Sequence, residues 1–186
     1  YDLGLRNDRI YENIAEYLLY MWQIEDIIRA NNLDIDLISK NIISHYNISE
    51  ELVVQVTEWY ESLIDMMRRE NVIETGHLQI NKNVIIQLND LHNTVLKNPK
   101  FQDYAAEYYK TLPFIVELRS RAKDNKVDEI ETCFTALYGV LLLKVQAKSI
   151  STDTLNAVGQ ISKFIAMLAH YFRLDSEDKL FTEDND

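Results

Sequence analysis

The chain has 186 residues and a net charge of −11, a length that suits one domain with a sizeable core. It contains only four glycines and two prolines, which argues against the many tight turns of a β-sandwich or barrel. Phosphate groups repel so acidic a surface, so binding to nucleic acid or to an anionic membrane is not expected. The composition predicts a compact, helical protein.

The first predicted helix runs from Arg9 to Ala30 and is apolar over most of its circumference. Apolar residues recur along one face of this helix at alternating spacings of three and four residues. This apolar seam consists of Ile10, Ile14, Tyr17, Met21, Ile24 and Ile28, and Tyr11, Ala15, Leu18 and Trp22 widen it. A helix with so broad an apolar face is predicted to lie near the middle of its domain.

Further helical patterns follow along the chain, separated by short polar stretches. They cover Asp34 to Ile43, Ser49 to a soft boundary between Met67 and Gly76, Lys82 to Lys97, and Phe101 to Ala122 after Pro99. Pro113 removes a backbone donor and predicts a kink or a break in the last of these. Asp124 and Asn125 are predicted to form a loop.

The last two predicted helices run from Val127 to Val145 and from Ser151 to about Arg173. The first has the most apolar seam of the chain: Val127, Ile130, Phe134, Leu137, Leu141 and Val145. Gly139 and Gly159 lie inside these helices, where each costs about 0.5–1 kcal/mol relative to alanine. The small residues Gly159, Ser162, Ala166 and Ala169 form a stripe that predicts close approach of the two helices.

These patterns predict an all-α fold, a single-domain bundle of six or seven mostly antiparallel helices. The domain is predicted to span residues 1–174. Residues 175–186 are predicted to form an acidic C-terminal tail that frays, because they carry little to bury.

No established catalytic, metal or cofactor motif is present. Cys133 is the only cysteine, so the chain has no Cys-x-x-Cys pair, and its apolar neighbours predict a buried thiol. Glu74 and His77 have a Glu-x-x-His spacing, but a di-iron site needs two such motifs and two further carboxylates. No glycine-rich phosphate loop and no Gly-x-Ser-x-Gly elbow occurs. We therefore predict no metal, no cofactor and no catalytic residue.

The polar group of most interest is Glu25 with Arg29, one turn beyond Trp22 on the first helix. If that face is buried, the two residues form either a structural ion pair or the floor of a polar pocket. Tyr17 and Trp22 would wall such a pocket. The structural interpretation is favoured, and Tyr17, Trp22, Glu25 and Arg29 are the candidate ligand-binding residues.

The stretch from Asn13 to Asp36, NIAEYLLYMWQIEDIIRANNLDID, resembles the N-terminal helix of an uncharacterised protein family from anaerobic gut bacteria. That family is classed as a domain of unknown function, and its members are single domains of about this length. The resemblance implies a bacterial cytosolic protein with an all-α fold. It implies no activity.

The leading functional hypothesis is a non-catalytic helical interaction module that self-associates or binds one protein partner. It follows from the large apolar and aromatic side chains on nearly every helix. The alternative is a small-ligand-binding protein or enzyme with a pocket lined by first-helix residues. No apolar run is long enough to span a membrane, and no signal peptide is visible in residues 1–9, so a cytoplasmic location is predicted. Neither a membrane nor a nucleic acid is predicted as a partner.

Overall fold

The computed structural model describes residues 13–123 and 126–182, and over these residues it is 78% helical with no strand. Seven α-helices occur in this part of the chain: α1 (Ile14–Ala30), α2 (Ile35–Asn41), α3 (Glu50–Arg69), α4 (Gln79–Lys97), α5 (Gln102–Arg121), α6 (Glu129–Val145) and α7 (Thr152–Ser176). Single turns of 3₁₀-helix lie at Ile43–His45 and Pro99–Phe101. The predicted all-α class is confirmed. The predictions for Ile10, Tyr11 and the Asp124–Asn125 loop lie outside the described residues.

The described residues group into two compact units. The first comprises residues 20–83, and the second comprises residues 13–19, 84–123 and 126–182. Among the described helices, none is both long and apolar enough to cross a membrane. The predicted domain boundaries, 1–174 with a tail at 175–186, stay a prediction.

In the first unit, polar caps determine where the helices begin. The Asp34 side chain accepts hydrogen bonds from the backbone amides of Asp36 and Leu37, and the Ser49 side chain accepts one from Leu52. Such caps satisfy amides that have no partner within the helix. The core between these helices contains Ile24, Ile28, Ile38, Val56, Tyr60, Leu63 and Met67, all almost fully buried.

In the second unit, α5, α6 and α7 pack against one another. Ser151 caps α7, and Pro99 begins a helical turn. The buried side chains are mainly aliphatic and aromatic, and they include Leu88, Val95, Tyr104, Ile115, Ile130, Phe134, Ile161, Phe164 and Leu168.

Pro113 does not break its helix, which runs without interruption from Gln102 to Arg121. The proline lies on the exposed side, and Tyr109, whose carbonyl loses its usual donor, is also exposed. Water can therefore satisfy that carbonyl, and the helix tolerates the missing hydrogen bond.

The predicted seam of α6 is only partly buried. Ile130 and Phe134 are core residues, but Leu137 and Leu141 are half-buried and Val145 is 66% exposed. Cys133 and Val140 are buried instead. Because α6 is apolar on nearly every side, periodicity could not identify the face that packs.

The small-residue stripe of α7 does not mediate close helix packing. Gly159, Ser162 and Ala166 are exposed, and only Ala169 is buried. A Cβ atom added at Gly159 or at Gly139 would meet nothing within 4 Å. The prediction that these residues allow close approach of α6 and α7 is therefore wrong.

The end of the chain is packed as far as it is described. Helix α7 continues to Ser176, Leu180 is buried, and the ring of Phe181 lies edge-on to Phe101 at 5.7 Å. Lys100 Nζ donates a hydrogen bond to the backbone oxygen of Thr182 at 2.9 Å. Leu180 and Phe181 pack because they are apolar, although the segment as a whole is acidic. Residues 183–186 lie outside the described part.

Candidate functional site

Glu25 is fully buried on α1, and its carboxylate is enclosed by three donors. Oε2 accepts a hydrogen bond from the backbone amide of Leu78 at 3.0 Å, and Oε1 accepts one from Asn81 Nδ2 at 3.1 Å. His77 Nδ1 lies 3.2 Å from Oε1. A buried carboxylate is stable only with such partners. Glu25 therefore anchors the start of α4.

His77 is held in one orientation by two contacts. Its ring stacks on Trp22 with a centroid distance of 4.2 Å and an interplanar angle of 12°. An ionised carboxylate can only accept, so the contact with Glu25 requires a hydrogen on His77 Nδ1. The His77 side chain is 28% exposed. The sequence patterns did not predict this residue as a partner of Glu25, since 52 positions separate the two.

Arg29 does not bind Glu25. Its guanidinium contacts Asp26 at 2.9 Å and donates hydrogen bonds to the backbone oxygens of Val72, at 3.1 Å, and Gly76. The predicted ion pair is therefore wrong, because the two side chains reach different parts of the segment between α3 and α4. Gly76 has φ +92°, a conformation that other residues rarely adopt. Together Glu25 and Arg29 fix this segment from one face of α1.

The structure thus brings together only part of the predicted site. Trp22 and Glu25 share His77 as a neighbour, and Arg29 binds the same segment through its carbonyls. Tyr17 belongs to the second unit, where burial raises the pKa of its hydroxyl. A ligand-binding role for these four residues stays a prediction. Glu25 and Arg29 contact the protein's own backbone, at Leu78 and at Val72 and Gly76, rather than each other.

A second polar cluster lies inside the second unit. His92 Nδ1 is 2.6 Å from the hydroxyl oxygen of Tyr104, and the Tyr108 hydroxyl donates to Glu129 Oε2 at 2.6 Å. Burial lowers the pKa of His92 and raises that of Cys133 to about 12. The buried position favours the neutral forms of both groups. These residues form a polar part of the core rather than an accessible reaction centre.

A broad groove opens between α5, α6 and α7, with a volume of about 770 Å³. Each of α5 and α6 supplies four lining residues at the spacing i, i+3, i+4, i+7. These are Phe114, Glu117, Leu118 and Arg121 on α5, and Ala136, Gly139, Val140 and Leu143 on α6. The first turns of α7, including Ser151, Asp153, Thr154, Ala157, Val158 and Ile161, complete it. This spacing is the one that packs helix against helix, yet none of the described helices occupies the groove.

A second cavity, of about 520 Å³, lies between α2 and α3 and is lined mainly by polar residues. The fold already uses several of these: Asp34 caps α2, and Arg68 donates a hydrogen bond to the Leu33 carbonyl at 3.0 Å. Neither cavity includes Tyr17, Trp22, Glu25 or Arg29. In the described part of the chain, no cluster of three or more histidine, cysteine or acidic side chains could hold a metal ion.

The described residues form an all-α protein with an open, partly apolar groove in its second unit. The family model described as "Domain of unknown function (DUF4924)" matches residues 6–179, so the chain belongs to this family. The predicted membership of a domain-of-unknown-function family is confirmed. No curated protein and no solved structure matches the chain.

Proposed function

We propose that this protein is a non-catalytic helical interaction module, and that the groove between α5, α6 and α7 is its binding surface. The observation that carries the proposal is Gly139, a glycine in mid-helix that lines the groove and faces open space. Such a residue costs the isolated chain about 0.5–1 kcal/mol, and a Cβ atom added there would meet nothing within 4 Å in the described part of the chain. A glycine there allows the backbone of another helix to approach closely.

The lining supports a helical occupant. Helices bound in grooves are recognised through apolar side chains at i, i+3, i+4 and i+7, and both walls of this groove repeat that spacing. Leu118 and Leu143 supply half-buried aliphatic surface, Val140 and Ile161 are buried core residues of the lining, and Glu117 and Asp153 supply charge at polar positions. An interface of this kind combines an apolar centre with polar groups around it.

The proposal is tested with a synthetic amphipathic peptide that carries leucine at i, i+3, i+4 and i+7 and equal numbers of glutamate and lysine elsewhere. Its binding is followed by fluorescence anisotropy. We expect Gly139→Glu to weaken binding at least about tenfold, because a carboxylate would then lie in the apolar groove. Gly159→Glu is the matched control, since Gly159 is equally open but outside the lining. Absent binding, or equal binding by both variants, would refute the proposal.

We also propose a bacterial, cytoplasmic location. The resemblance of residues 13–36 to proteins of anaerobic gut bacteria supports it. Fractionation of a native host expressing the chain, with the protein recovered in the cytoplasmic fraction, is the expected result; recovery outside the cytoplasm would contradict it.

A further inference from the structure

We propose that His77 is a modification site whose Nε2 accepts an acyl group from an uncharged, activated acyl compound such as an ester or an anhydride. The site belongs to the first unit and goes beyond the interaction module proposed for the second. His77 Nδ1 lies 3.2 Å from Glu25 Oε1, and the ring stacks on Trp22 at 4.2 Å. In the described part of the chain, His77 Nε2 has no hydrogen-bond partner.

The contact with Glu25 determines which nitrogen of His77 can react. The buried carboxylate accepts from Leu78 and Asn81 and holds the ring hydrogen of His77 at Nδ1. The lone pair of the neutral imidazole then lies on Nε2. A carboxylate bonded to one ring nitrogen increases the electron density on the other, as in histidines that bind metals. It also stabilises the positive charge that the ring gains when Nε2 attacks.

The same contacts leave Nε2 open to solvent on an oriented ring. Trp22 covers one face of the imidazole and Glu25 lies at its Nδ1 edge. The exposed fraction of the His77 side chain, 28%, therefore belongs to the other face and to the edge that carries Nε2. An oriented nucleophile loses less conformational freedom in reaching the transition state than a mobile one.

Charge favours an uncharged donor over a phosphorylated one. The start of α4, which could attract an anion, already binds two carboxylates: Glu25 at the Leu78 amide and Glu70 at the Gln79 amide. The chain as a whole carries a net charge of −11. A phosphorylated donor would bring more negative charge to this place and be repelled, whereas an uncharged acyl compound is not.

The modification forms one bond to the acyl carbon and breaks another. Nε2 bonds to that carbon while its bond to the leaving oxygen breaks, and the leaving group departs with the electron pair. The product is an acylimidazolium whose positive charge lies beside the Glu25 carboxylate. Water then attacks the acyl carbon, Nε2 leaves with its electron pair, and the carboxylic acid and one proton are released. No atom is oxidised or reduced.

Diethyl pyrocarbonate tests this inference, because the chain supplies its own controls. Peptide mapping by mass spectrometry at pH 8 gives the rate at which each histidine is carbethoxylated. If exposure alone determined the rate, the exposed His45 and His170 would react fastest and the buried His92 slowest. We expect His77 to react faster than His45 and His170, although both are more exposed. Equal or slower reaction at His77 would overturn the inference.

Two variants test the part played by Glu25. Glu25→Gln removes the charge and should slow the reaction at His77 at least about tenfold, with the fold verified by circular dichroism. Glu16→Gln, at an exposed position of α1, should leave it unchanged. An unchanged rate in folded Glu25→Gln would overturn the inference. Potassium phosphoramidate should leave His77 unmodified, and phosphohistidine at this position would overturn the choice of an uncharged donor.

Discussion

Glu25→Gln tests the structural role of the buried carboxylate. Glutamine keeps one oxygen acceptor but places an NH₂ group where a donor already points, at the Leu78 amide or at the Asn81 and His77 donors. One hydrogen bond is lost, worth about 1 kcal/mol, and a buried N–H is left unsatisfied at about 1–3 kcal/mol. The free energy of unfolding should therefore fall by about 2–4 kcal/mol.

The assay is urea unfolding followed by circular dichroism, with Glu16→Gln as the control. Glu16 is an exposed glutamate of α1, so its change should stay within about 0.5 kcal/mol. Arg29→Met should cost about 1–2 kcal/mol, because the Val72 and Gly76 carbonyls lose their donor but can turn to water. A decrease in the free energy of unfolding below about 0.5 kcal/mol for Glu25→Gln would refute the role of Glu25 in anchoring the start of α4. A stabilised Arg29→Met chain would restore the ligand-pocket alternative on the first helix.

Three further predictions concern the second unit. Burial lowers the pKa of His92 below 6.5, so the unfolded state binds more protons below that pH and the free energy of unfolding should decline on acidification. His92→Gln should flatten this decline in urea unfolding between pH 7.5 and 5.5, and an unchanged slope would contradict the prediction. Cys133 is buried, and burial raises its pKa to about 12, so iodoacetamide should alkylate it only when the protein unfolds. Rapid labelling of the native protein, detected by mass spectrometry, would contradict this and show that the thiol is accessible. Phe134→Ala should lower the free energy of unfolding by about 3–5 kcal/mol. Leu137 is half-buried, so Leu137→Ala should lower it by only about 1–2 kcal/mol. Equal losses in denaturant unfolding would show that Leu137 is a core residue.

Much of the fold could be predicted from local patterns. Helix positions followed from apolar spacing, and the starts of α3 and α7 followed from Ser49 and Ser151, since capping depends on residues within one turn. For α2 the sequence allowed either Asp34 or Asp36 as the cap, and the structure has Asp34. The packed face of α6 could not be predicted, because a helix apolar on all sides has no preferred face in its sequence. Leu137 was assigned to the core for that reason, and the structure leaves it half-buried.

The sites depended on contacts that local patterns do not contain. A glutamate on an apolar helix face indicated that Glu25 needs partners, but His77 and Asn81 lie more than fifty positions away. The cost of Gly139 inside a helix was visible in the sequence, whereas its place in a groove was not. A groove arises where apolar faces of three helices leave room for another helix, and this is a property of their arrangement.

Hydrogen–deuterium exchange with and without the leucine peptide tests the central claim, that the groove of the second unit is an interaction surface, most directly. Binding in the groove predicts slower amide exchange in the presence of the peptide in residues 114–121, 136–143 and 151–161, with residues 20–83 unchanged. Gly139→Glu should abolish the difference and Gly159→Glu should keep it. Exchange that the peptide leaves unchanged, or protection confined to residues 20–83, would contradict the claim.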